Sequence, residues 1–128
     1  MQLGEVYHIS DDAFSVNGHY HFVISNEAED GLYLVVNCTT FRPGCHVEDG
    51  NCILEPGDYI GIKSKSILAF HRTRLLNDAK LAKATTAGYT VFCQPTVASP
   101  DLIKKIQQAF EVSRDVPERF RTYGFYFR

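Results

Sequence analysis

Apolar positions gather in short runs split by Gly, Asn, Asp and Pro clusters through the first half of the chain, then take a helical period near its end. Gly4 to Ile9 (GEVYHI) is rich in β-formers, and His19 to Ser25 (HYHFVIS) follows the turn signal Asn17-Gly18. Leu32 to Asn37 (LYLVVN) is apolar on both faces, which predicts a central strand ending at Cys38-Thr39-Thr40. Phe41 to Asn51 reads as a loop, punctuated by Arg42-Pro43-Gly44 and Asp49-Gly50. Cys52 to Glu55, Tyr59 to Lys63 and Ile67 to Thr73 complete a set of short strands, with Pro56-Gly57 suited to a type II turn. Short strands with few long crossovers predict a compact antiparallel barrel.

The second half changes period. Asn77 to Ala87 carries a capping residue, an early acid and a following Gly88, so it reads as a short helix, with Tyr89 to Gln94 as a last strand. Ser99-Pro100-Asp101 is a helix start, and Leu102, Ile106, Ala109 and Phe110 fall on one face of a helix over Pro100 to Val112. Val116-Pro117 opens a final helical turn, and the tail Tyr123, Phe125, Tyr126 and Phe127 is expected to dock as an aromatic cluster on the barrel or on a partner chain. The expectation is one domain over 1–128: a barrel over 1–95 and a C-terminal helical appendage over 96–128.

Composition changes this picture little: 45% hydrophobic and 22% charged residues fit an ordinary globular chain. With no basic-apolar leader and no membrane-length apolar run, the reading is cytoplasmic, without a membrane partner. The thiols of Cys38, Cys45, Cys52 and Cys93 are then expected to be buried or idle rather than paired. Charge is more informative. Residues 1–62 hold ten acids against Arg42 alone, whereas residues 63–128 hold twelve bases against five acids. Such asymmetry suits a chain that meets a polyanion, or its own acidic half, through the basic part.

Gly4-Glu5-Val6, then Val23-Ile24-Ser25, then Val36-Asn37-Cys38-Thr39-Thr40, then Ser66-Ile67-Leu68 running to Arg74-Leu75 follow one another in an order that resembles the MazF/PemK family of toxin endoribonucleases. The resemblance covers about residues 4–76 and loosely the C-terminal helix, and is carried by the order and spacing of the four motifs together. It implies a mainly β fold with C-terminal helices, built as an SH3-like small antiparallel barrel. It also implies metal-independent, cofactor-free cleavage of single-stranded RNA, a homodimer, and neutralisation by an antitoxin protein. One departure stands out. The family's Arg-Pro before the second strand, whose arginine helps to stabilise the scissile phosphate, is replaced by His19-Tyr20-His21. His21, Asp49, Cys52 and Gly57-Asp58 are similar to a divergent branch of such proteins.

Metal-free RNA cleavage needs a base for the 2′-hydroxyl, an acid for the leaving oxygen and cationic donors for the phosphate. His19 and His21 alternate on one strand and so share a face, which makes them the candidate acid–base pair if that face is open. The catalytic candidates are His19, His21, Thr39 and Arg74, with Thr40, Lys63, Lys65, His71 and Arg72 as RNA contacts. Each has a plainer reading as an exposed strand residue, an ion-pair partner or a solvated turn. Cys38, Cys45, His46 and Cys52 lack the close Cys-x-x-Cys pairs of structural zinc sites, so no metal is expected. A Cys52–His21 dyad lacks an evident oxyanion hole. The alternative function is a non-catalytic barrel binding protein or RNA within a larger bacterial system.

Overall fold

The computed structural model describes residues 1–11, 18–41 and 52–127. The Asn17 end of the first turn signal, the loop punctuation at Arg42-Pro43-Gly44 and Asp49-Gly50, and Cys45, His46 and Asp49 lie outside these residues.

Among the described residues, six antiparallel strands form one sheet: β1 (Val6–Asp11), β2 (His19–Val23), β3 (Tyr33–Thr40), β4 (Ile53–Leu54), β5 (Ser66–Leu76) and β6 (Tyr89–Cys93). Their order is β4-β5-β3-β2-β1-β6, so β3 is internal, as its two-faced apolarity predicts. Among the described residues no ladder joins β4 to β6, and the sheet is open where a closed barrel was expected.

Alternation sends the strand residues to two faces. Val6, Phe22, Ile24, Leu34, Val36 and Phe70 enter one core with α2 (Pro100–Val112) and the 3₁₀ segment η1 (Glu118–Tyr126). Helix α2 starts where the sequence places it: Ser99 Oγ accepts from Leu102 N at 3.1 Å, with Pro100 in the first turn. Phe110 meets Phe70 and Phe127 edge-on, at 5.8 and 5.6 Å between ring centres. The C-terminal helices therefore share the strands' core. Tyr7, Ile9, Val23 and Val35 form a smaller cluster on the opposite face, under Leu81 of α1 (Asp78–Thr86). Among the described residues no helix is long and apolar enough to cross a membrane.

Two stretches depart from the sequence reading. Tyr59 to Lys63 is not a strand: a turn over Glu55 to Asp58, in which Asp58 N donates to Glu55 O and Glu55 N to Asp58 Oδ2, runs straight into a second turn in which Ile62 N donates to Tyr59 O. Gly57 at φ 100° permits the first of these, and Tyr59 is buried with its hydroxyl on the Thr96 carbonyl. Second, the strand expected to end at Thr73 continues to Leu76 across an irregularity. Val35 pairs with Arg74 and Asn37 with Ala69, so residues 70–73 face Val36 alone. Thr73 Oγ1 bonds Phe70 O at 2.6 Å within this bulge, which leaves His71 and Arg72 exposed.

Candidate functional site at the β2 and β3 strand ends

His19 and His21 do share a sheet face, but their surroundings differ. His21 stands between Tyr7 of β1 and Asn37 of β3 and is 3% exposed, whereas His19 begins β2 and is half-buried. The face is thus closed at His21, and the open acid–base pair expected from the alternation is not formed. His21 Nδ1 lies 2.9 Å from the His19 carbonyl oxygen. A carbonyl only accepts, so Nδ1 carries the proton and Nε2 is left, among the described residues, as a buried acceptor without a partner, as is Asn37 Oδ1 on the next strand. Burial, with Arg74 and His19 adding repulsion, pushes the His21 imidazole down to about 4. His21 is neutral at any ordinary pH.

His19 opens instead onto a cavity of about 270 Å³ lined also by Gly18, Tyr20, Cys38, Thr39, Thr40, Gly61, Ile62, Lys63, Ser64 and Ser66. Three chain segments build it: the start of β2, the end of β3, and the turns before β5. Partial burial lowers the His19 pKa, opposed by a hydrogen bond to the Cys38 backbone and reinforced by Arg72, His8 and Arg74. The ring is therefore held mainly neutral at neutral pH, in the form that accepts a proton.

Of the sequence candidates, the fold brings His19, Thr39, Thr40 and Lys63 to this cavity. Lys65 is exposed beside it, its ammonium 5.0 Å from the centre of the Phe41 ring. His71, Arg72 and Arg74 do not line it: the bulge carries the first two away, and Arg74 stands opposite Val35. The two arginines reach His19 only through their charge. Asp49 lies outside the described residues.

Sequence reasoning missed Tyr20 and Gly61. The Tyr20 ring meets His8 and Tyr59 edge-on, at 5.2 and 5.8 Å between centres, and its hydroxyl lies over Gly61. A Cβ at Gly61 would come within 2.3 Å of that oxygen. A glycine inside an apparent strand is the signal that marks such a close approach.

The cysteine readings separate cleanly. Cys52 is in the main core and His21 belongs to the opposite face, so they form no dyad. Burial pushes the Cys38 and Cys52 thiols up to about 12 and about 11, which suits inert thiols and not thiolate ligands. Both are free, as is exposed Cys93. Among the described residues no three His, Cys, Asp or Glu side chains gather as a metal site. No protein-family model matches the chain, and no curated protein matches it in sequence.

Proposed function

We propose that the cavity at the β2 and β3 strand ends binds the backbone of single-stranded RNA and cleaves it without a metal, as a toxin-type endoribonuclease. The observation that carries this reading is the convergence of His19, Thr39, Thr40 and Lys63, from three separate segments, on one cavity. Neutral His19 takes the 2′-hydroxyl proton. The freed 2′ oxygen attacks phosphorus, the bond to the 5′ oxygen breaks, and that oxygen takes a proton from water, leaving a 2′,3′-cyclic phosphate and a 5′-hydroxyl. Lys63 and the hydroxyls of Thr39 and Thr40 hold the phosphate, taking the role the resemblance gives to the missing arginine. An SH3-like barrel, a homodimer and an antitoxin that covers the cavity belong to the same proposal and rest on the four strand motifs.

The test incubates purified protein with single-stranded RNA in EDTA and analyses the ends produced. Cyclic phosphate ends are expected, with His19→Ala slowing cleavage by about 100-fold or more. Absence of cleavage together with absence of growth arrest on expression sinks the enzymatic reading. One observation favours a second reading, RNA binding without cleavage: with His21 buried, the cavity holds, among the described residues, a single imidazole for two proton transfers. Under it RNA binds, Lys63→Ala weakens binding, and the RNA stays intact.

A further inference from the structure

A larger groove, of about 580 Å³, lies between the β2–β3 connection and η1 and shares no residue with the histidine cavity. Glu29 and Asp30 form one wall, and Tyr123, Phe125 and Tyr126 the other. The walls are tied together. Tyr123 donates its hydroxyl proton to Asp30 Oδ2 at 2.5 Å, and Asn26 N donates to Tyr126 O at 2.7 Å. The turn itself is closed by Gly31 N on Ala28 O, and Asp30 Oδ1 accepts from Leu32 N at 3.0 Å. The Tyr123 hydroxyl holds the Asp30 carboxyl below its usual range, so Asp30 is ionised at neutral pH, with Lys80 the neighbouring cation.

Above these carboxylates Phe125 is 87% exposed, its ring edge-on to Tyr126 at 5.5 Å between centres. A large aromatic held in water beside fixed negative charge selects against most ligands. An anion, RNA included, is repelled by Glu29 and Asp30. A purely apolar occupant covers the rings but strips water from the carboxylates without replacing it. A cation on an apolar stem satisfies both walls.

We propose that this groove docks a basic segment of a partner protein, laying the methylenes of a lysine or arginine along Phe125 and Tyr126 and its cation against Glu29 and Asp30. The site is independent of the RNA-cleavage reading, and its test does not use RNA.

The experiment follows backbone amide NMR shifts of the isotope-labelled chain during titration with acetyl-Ala-Arg-Ala-Lys-Ala-amide. The same peptide with norleucine at both basic positions is the control. Saturable shifts are expected at Glu29 to Gly31 and Thr122 to Tyr126, with the norleucine peptide about tenfold weaker. Phe125→Ala and Glu29→Gln, both at exposed positions, are each expected to weaken the basic peptide about three- to fivefold while leaving shifts elsewhere unchanged. Equal response to the norleucine peptide, no response at these amides, or undiminished binding to both variants overturns the proposal. So does a concentration-dependent self-association that broadens the same amides before peptide is added, because the occupant is then a second copy of the chain.

Discussion

His21 and His19 are two residues apart and chemically identical, yet the pKa of His21 is pushed down to about 4 while His19 is half-buried at the cavity. Burial between Tyr7 and Asn37 is the cause, since an imidazolium there would give up its hydration. The sign of the pH dependence follows. The unfolded chain takes a proton on His21 near the ordinary 6.5, whereas the folded chain resists until about 4. Its contribution is thus fully present above about pH 6.5 and is lost progressively as pH falls toward 4. Between pH 7.5 and pH 5 this one group removes about 2 kcal/mol. Urea unfolding of the wild type and of His21→Gln at both pH values checks it: the variant should show a pH penalty smaller by that amount. Identical penalties would mean that the ring is hydrated or paired in solution.

At the scale of elements, the turn over 59–62 supplies Gly61 and Ile62 to the cavity wall, with Lys63 and Ser64 just after it. Gly61 lets the Tyr20 hydroxyl lie against its backbone, and Tyr20 in turn packs on His8 and Tyr59. Gly61→Ala places a Cβ 2.3 Å from that oxygen, and Tyr20 has to swing away from its ring partners. The expected result is a loss of about 1–3 kcal/mol in stability and a changed environment for His19, read by its ring proton shifts. A variant as stable as wild type with unchanged His19 shifts would contradict the tight fit. Helix α2 offers a cleaner case. Ser99→Ala removes the cap on Leu102 N and should cost about 1 kcal/mol in thermal unfolding.

For the whole molecule, the decisive feature is that one core joins strands and C-terminal helices. Phe110 is 1% exposed and touches Phe70 of β5 on one side and Phe127 of the tail on the other. Phe110→Ala should therefore destabilise by about 3–5 kcal/mol. Its unfolding should stay a single transition, with far-ultraviolet dichroism and tyrosine fluorescence changing together. Helix loss ahead of sheet loss would show that 96–128 behaves as a separate appendage.

Local chemistry made much of this legible from the residues alone. The cap at Ser99 with Pro100, the cap at Asn77 with Gly88 at φ 105°, the positive-φ Gly57 after Pro56, and the two-faced apolar run of β3 all act within a few neighbours. The period-2 rule also placed His19 and His21 on one face. What it could not supply is what covers that face. Burial of His21 depends on β1 and β3 pairing on either side of it, with β6 joined to β1 from far along the chain. The site followed the same division: His19, Thr39, Thr40 and Lys63 were recognisable as residue types, but their meeting depends on 59–63 folding as turns rather than as a strand. That choice came from a long-range anchor, buried Tyr59 bonded to the Thr96 carbonyl, and a sequence window around YIGIK contains no trace of it. The sequence alone determined most of the elements and which residues share a face; the tertiary structure decided that 59–63 turns and which of those faces meet water, because both depend on contacts between distant segments.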